Sequence, residues 1–340
     1  MSRDFSDSGD IYATSADTLT YLKWVSACNL TTSYTPFGTG QSLSFGGTPR
    51  TVAWTNRAQQ RIAYYQYWQP FNASWGGIAL LDGTSAQVTI EMASNNLVVR
   101  SGGHAGTILG TIVGKGVVST WRHINIDVTI HNTTGSISIY LDGANPTSGA
   151  NLSLTNVNTR GGTSNNYINA IGLVADGAYH HYKDIFVWND DGTAPTGWIG
   201  QPRSYTSWAA SAGAVTDFPT RVGGSGTNWS ANSTNNGDTS YVSSSTVGHV
   251  DLYGVTALPV TPTSIYGLEH FLLMRKEDAG PRTVALRRRS STGGVTDDLA
   301  STASIPVYYD RLGYWESLNP DTAAAWTPST LPQLGPKIVV

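Results

Sequence analysis

Residues 121–143, WRHINIDVTIHNTTGSISIYLDG, constrain the fold more than any other stretch of this chain. In an extended backbone Ile124, Ile126, Val128 and Ile130 fall on one face. His123, Asn125, Asp127 and Thr129 fall on the other. A polar turn over 132–135 follows, then Ile137, Ile139 and Leu141 repeat the pattern, and Asp142-Gly143 supplies the next tight turn. A period of two carried by β-branched residues and broken at Asn/Gly and Asp/Gly predicts a hairpin with one buried face.

The same period recurs along the chain. It predicts strands over 61–68, 77–81, 87–92, 95–101, 107–113, 167–175 and 182–188, whereas 15–24 reads equally as a short helix or a strand. Many short strands with turn signals between them indicate an all-β, antiparallel sandwich or jelly roll. The stretch 190–202 packs Asp, Gly and Pro without periodicity and reads as a linker. The domains expected are therefore a β-sandwich over 1–200 and a smaller β domain over 201–340. In the latter, 204–241 reads as loops or short irregular strands. Strands are expected over 265–275, 282–289 and 305–309, and 331–340 reads as a tail extended over the surface.

Composition narrows the function classes. Charged residues make up 13% of the chain, about half the usual share. Disorder is excluded, because 11 Trp and 17 Tyr accompany many β-branched residues and disordered chains have few of either. A net charge of −3 argues against a nucleic-acid partner or an anionic membrane. The single cysteine, Cys28, excludes an internal disulfide and a cysteine-cluster metal site, and reads as a small buried hydrophobe. The segment MSRDFSDSGDIY lacks the apolar core of a secretory signal, so synthesis in a cytoplasm without a signal peptide is expected.

Two resemblances add to this reading. TWRHINIDV, ISIYLDG and the strand ending YKDIFVWNDDG resemble the laminin-G/concanavalin-A-like jelly roll, a fold used by lectins, adhesion modules and glycan hydrolases. Over 12–337 the chain is similar to tail or fibre-like virion proteins of tailed bacteriophages. The residues that carry this are Lys183-Asp184-Ile185, Asp190-Asp191-Gly192, Gly200 to Arg203, Asn228-Trp229, the run from Gly237 to Val242, Arg275-Lys276 to Asp278-Ala279-Gly280, Asn319-Pro320-Asp321-Thr322 to Trp326-Thr327, and Gly335 to Lys337. That similarity implies a non-enzymatic structural part of a virion (tail, fibre or surface decoration), located in the virion. Its partners would be other copies of itself, as a trimer, and other virion proteins, with a role in host attachment through a surface glycan. The alternatives are a carbohydrate-binding lectin module and a polysaccharide depolymerase.

Candidate chemistry is sparse. Hydrolases on this scaffold usually carry Glu-X-Asp-X-Glu on one strand. Here Glu91, Glu269, Glu277 and Glu316 are the only glutamates, and none has an acidic residue two positions away. Glu91 reads as a solvent-face residue or a lone inward acid. His180-His181 point to opposite faces of a strand and so do not chelate one metal together. Asp142, Asp176, Asp190 and Asp191 lie at strand ends or turns. They are calcium candidates on the family pattern, with local turn hydrogen bonding as the favoured reading; no other cofactor is expected. Arg287-Arg288-Arg289 ends a strand, with Arg288 facing away from its neighbours. It reads as a solvated end, or as a partner for Asp297 or Asp298 of another copy. Tyr65, Tyr67 and Trp68, with Tyr64 beside them and Trp75 close behind, are core, subunit interface or glycan contact.

Overall fold

The computed structural model describes residues 3–7, 12, 24, 28–37, 40–44, 50–51, 54–69, 75–176, 180–190, 197–291, 293, 296–301 and 304–340. The chain divides into two compact units, residues 1–19 with 23–204, and 20–22 with 205–340. Of the expected element over 15–24 only Trp24 is among the described residues, and Asp191 falls outside them.

In the first unit the strands are β1 Arg3–Asp7, β2 Asn29–Thr31, β3 Ser42–Ser44, β4 Arg50–Thr51, β5 Gln59–Trp68, β6 Trp75–Asp82 and β7 Ser85–Ala93. They continue as β8 Asn95–Ser101, β9 Thr107–Gly116, β10 Trp121–Thr129, β11 Gly135–Leu141, β12 Leu152–Val157, β13 Ala170–Ala175 and β14 His180–Trp188. Among the described residues they form an eight-stranded sheet in the order β12-β11-β10-β5-β14-β3-β2, with β1 also on β14, and a six-stranded sheet in the order β4-β13-β6-β7-β8-β9. All the pairings are antiparallel. This is the expected all-β jelly-roll sandwich. The hairpin over 121–143 forms as read, with Ile124 opposite Leu141, Ile126 opposite Ile139 and Val128 opposite Ile137. Its apolar face is fully buried. Its polar face departs from expectation, because His123 and Asn125 are buried as well.

The two sheets are tied across the core by side chains of β5 and β14 meeting the backbone of β6. Tyr182 donates its hydroxyl to Gly77 O at 2.9 Å, and Gln66 Nε2 donates to Gly76 O at 2.8 Å. A Cβ at Gly76 would lie 2.3 Å from the His180 ring, so a glycine is required for the approach. Trp68 stacks on His180 at 5.5 Å. On β1, Asp7 is buried and accepts from Tyr12 Oη and Trp24 Nε1, each at 2.7 Å. Cys28 is buried, as expected, and burial pushes its thiol pKa up.

The stretch read as a linker is part of the sandwich over its described residues. Ile199 packs with Ala63, Phe186 and Trp188. Gly200 O accepts from Asn125 Nδ2 at 2.8 Å.

In the second unit the strands are β15 Ala209–Thr216, β16 Thr220–Val222, β17 Tyr241–Ser243, β18 Asp251–Val255, β19 Leu268–Met274, β20 Val284–Arg289, β21 Thr296–Ser301, β22 Asp310–Glu316 and β23 Gln333–Ile338. A one-turn helix, Asn228–Ala231, lies between β16 and β17. Three expectations are corrected here. The stretch 305–309 is not a strand; pairing begins only at Asp310, after Pro306, which has no N–H to offer a ladder. The tail over 331–340 is not a surface extension, because β23 lies between β18 and β20 inside a five-stranded sheet. Gly335-Pro336 obscured it. On the β18 side the ladder is reduced to the bridges Tyr253–Leu334 and Val250–Lys337, which flank the proline and leave its missing donor unused. Finally, Arg288 is buried and pairs within the chain, with Asp297 at 2.7 Å and with Glu316, while Arg287 meets Asp298 at 2.7 Å.

Truncation after Pro332 removes β23 from between two partners. We expect limited proteolysis to cut the truncated chain within 205–332 under conditions in which the full chain resists. Equal resistance would contradict a central β23.

Candidate functional site

The β5–β10 and β5–β14 registers set out the outer face of the eight-stranded sheet in rows. Trp121, Tyr67 and His181 form the first row, and His123, Tyr65 and Lys183 the second. Asn125, Ala63 and Phe186 follow, then Asp127, Arg61 and Trp188. A bulge sits between Lys183 and Phe186, where Asp184 takes a φ of 50° and two residues oppose Tyr64 alone.

Cover over this face is uneven. The later rows lie under Ile199 and Gly200. Tyr65 meets Phe37 edge-on at 5.0 Å, and the Arg203 guanidinium sits 3.1 Å over the Phe37 ring. In the first row Tyr67 and Trp121, 5.4 Å apart, are only partly buried, and Tyr34 stacks on Tyr67 at 5.2 Å and on His181 at 4.6 Å. Tyr34, Tyr67 and Trp121 are the half-exposed rings of an aromatic platform.

Buried polar atoms sit beside it. His123 Nε2, Asn125 Oδ1 and His181 Nδ1 are buried without a hydrogen-bond partner. Such atoms cost roughly 1–3 kcal/mol each. Asn125 Nδ2 lies 3.3 Å from His123 Nδ1, which makes that nitrogen the acceptor and leaves the proton on Nε2. Burial lowers the pKa values of His123, His180 and His181 to about 4 each, so all are neutral at pH 7.

Of the aromatics singled out from sequence, only Tyr65 and Tyr67 share this face. Trp68 lies on the core face against His180, and Trp75 belongs to β6 in the other sheet, where it stacks on His104 at 3.9 Å with planes 9° apart. Sequence reading assigned no site role to Tyr34, Trp121, His123 and Asn125, and considered His181 only as a metal ligand. The signal for three of them was present in Trp121-X-His123-X-Asn125, the polar face of the opening hairpin. It acquires meaning only once β10 pairs with β5.

The calcium candidates do not converge. Asp142 accepts from Arg122 Nη1 at 2.5 Å and from the His123 N–H at 3.1 Å. Asp190 is held by Arg61 and by the Gly197 N–H at 2.7 Å. Asp176 meets the Trp75 N–H at 3.4 Å, on the other sheet. Most of these partners are distant in sequence, so the expected local turn bonding is not what holds the three carboxylates. Among the described residues no group of three or more His, Cys, Asp and Glu is placed to hold a metal ion. No helix among them is long and apolar enough to cross a membrane.

Glu91 is not a solvent-face residue. Its carboxylate is buried and accepts from Arg100 Nε at 2.7 Å, with His104 Nδ1 at 2.8 Å. Each of the other three glutamates also faces an arginine: Glu269 meets Arg311, Glu277 meets Arg275 at 2.9 Å, and Glu316 meets Arg288.

No protein-family model matches the chain, and no curated protein matches it in sequence. Among solved structures it is similar to the binding domain of botulinum neurotoxin serotype D, at 11% identity and TM-score 0.33, over 47% of this chain and 41% of that one. It is similar also to the carbohydrate-binding module CBM66 from Bacillus subtilis, at 9% identity and TM-score 0.32, over 49% and 95% of the two chains. A third is the galectin LEC-6 of Caenorhabditis elegans, at 11% identity and TM-score 0.28, over 41% and 88%.

Three histidines with pKa values depressed from 6.5 to about 4 bind fewer protons folded than unfolded. The stability they contribute is complete above about pH 6.5 and is lost as pH falls toward about 4. Each adds a slope of up to about 1.4 kcal/mol per pH unit in that window. Denaturant melts at pH 7, 5.5 and 4.5 should show this loss for the first unit, and His180→Leu should make the dependence shallower. An unchanged slope would mean that His180 binds protons equally in the folded and the unfolded chain.

Proposed function

We propose that this protein is a non-enzymatic glycan-binding β-sandwich protein, with the outer face of its eight-stranded sheet as the binding surface. The observation that carries this is the half-exposed platform of Tyr67 and Trp121, with Tyr34 stacked on Tyr67, beside the buried polar atoms of His123, Asn125 and His181. Saccharides present apolar C–H faces and hydroxyls that both donate and accept. Stacked rings suit the faces, and an unused donor beside unused acceptors suits the hydroxyls. The absence of a reaction is part of the proposal. Acid–base hydrolysis needs two carboxylates at the scissile bond, and the Glu-X-Asp-X-Glu pattern usual for hydrolases on this scaffold does not occur in the sequence.

We propose a setting for this activity on the motif resemblance to tailed-phage virion proteins alone. In that setting the chain is a structural part of a virion, assembled with further copies of itself, and the platform contacts glycans of the host surface.

Binding of the purified chain to an immobilised glycan array tests the reading. Tyr67→Ala and Trp121→Ala should each weaken the strongest signal by about fivefold or more, the value of one stacked ring. Val113→Ala, at an exposed position on β9 of the other sheet, should leave it unchanged. Binding that survives both ring deletions would place the site elsewhere.

A further inference from the structure

Tyr34 does more than border the platform. Its ring lies 5.2 Å from Tyr67 with planes 29° apart, and 4.6 Å from His181 with planes 21° apart. A nearly parallel ring over Tyr67 and His181 stands where a pyranose would stack. Beneath it, His181 is 4% exposed and its Nδ1 is buried without a partner. Its Nε2 lies 3.3 Å from Gln69 Oε1, which can only accept, so Nε2 carries the proton and Nδ1 presents a bare lone pair. The nearby cations and anions are committed elsewhere: Lys183 Nζ donates to Gln41 O at 2.8 Å, the Asp184 carboxylate accepts from the Ser204 N–H at 3.2 Å, and Arg203 sits over Phe37.

The ring can leave without disturbing the loop that carries it. The main chain is held by Tyr34 O, which accepts from Ser42 Oγ at 2.6 Å, and by the Ser33 N–H on Thr31 Oγ1 at 3.1 Å. Among the described residues the Tyr34 hydroxyl makes no hydrogen bond, so a χ1 rotation breaks only the two stacks. Phe37 instead lies between the Tyr65 ring and the Arg203 guanidinium.

We propose that Tyr34 is a built-in occupant of a saccharide subsite: a glycan binds by displacing its ring from Tyr67 and His181, and a sugar hydroxyl then donates to His181 Nδ1. This rests on the glycan-binding reading. The ligand class is an uncharged sugar, since the surfaces uncovered are aromatic rings and a neutral imidazole acceptor. The lost stacks oppose binding, so the occupant sets a threshold that favours longer chains able to contact Tyr67 and Trp121 together.

The test is calorimetric titration of the full chain with maltohexaose, laminarihexaose, mannohexaose and N-acetylchitohexaose. Against the tightest-bound probe, Tyr34→Ala should bind about three- to tenfold more strongly than the unaltered chain, because the competing stacks are gone. Adding His181→Phe, which keeps a flat ring but removes the acceptor, should reverse the gain. Thermal melts check that the variants fold, and Tyr34→Leu replaces Tyr34→Ala if the latter does not. Equal or weaker binding by the Tyr34 variant, with the unaltered chain still binding, overturns the displacement and leaves the glycan reading standing. Unchanged affinity on adding His181→Phe overturns the hydroxyl contact. No binding of any probe by either folded protein overturns the subsite together with the reading beneath it.

Discussion

The close approach of β14 and β5 to Gly76 and Gly77 governs the first unit. His180 lies where a Cβ on Gly76 would be, and the Tyr182 hydroxyl reaches Gly77 O. Both side chains are thereby committed to the core. Strand alternation then sends His181 and Lys183 outward, whatever their own preference. The same holds on β5, where Gln66 bonds to Gly76 O and Trp68 stacks on His180, so Tyr65 and Tyr67 face out. The outer platform is a consequence of the inner contact. A one-residue slip of β14 would put His181 into the core and dismantle both.

The bulge at Asp184 limits how far this logic runs. Beyond it two residues of β14 stand against Tyr64, and the outward positions become Phe186 and Trp188. Those are large apolar groups, and they need a cover. The 197–204 segment supplies it through Ile199, the Gly197 O that accepts from Trp188 Nε1 at 3.1 Å, and Gly200. The outer face is therefore sealed at one end and half open at the other.

Much of the fold was legible because a two-residue period with turn punctuation is a local signal. The hairpin over 121–143 formed in the register that its isoleucines demand. What was not legible depends on partners distant in sequence. The tail became β23 because β18 and β20 left a gap that a proline-containing strand fills with one defective side. Arg288 became a buried ion-pair residue because Asp297 and Glu316 converge on it from two other strands. Glu91 reads as a surface acid until Arg100 and His104 are placed on its two oxygens. The aspartates at turns point to a metal only if they meet, and Asp142, Asp176 and Asp190 are instead held by Arg122, the Trp75 N–H and Arg61, partners distant in sequence.

The candidate site shows why aromatic content alone does not separate a core from a binding surface. Tyr65 and Tyr67 sit two residues apart on one strand, on one face, flanked by β10 and β14 alike. Nothing in the strand distinguishes them. The difference lies in the loop above. Tyr65 is under Phe37, over which the Arg203 guanidinium sits, whereas Tyr67 is under Tyr34, whose ring makes no hydrogen bond among the described residues. A clamped cover turns a surface ring into core, and an unclamped one leaves it available to any ring-shaped ligand that stacks better. Whether a strand aromatic serves stability or recognition is decided by the strength of what lies on it, and in this protein that strength changes between adjacent rows of the same sheet.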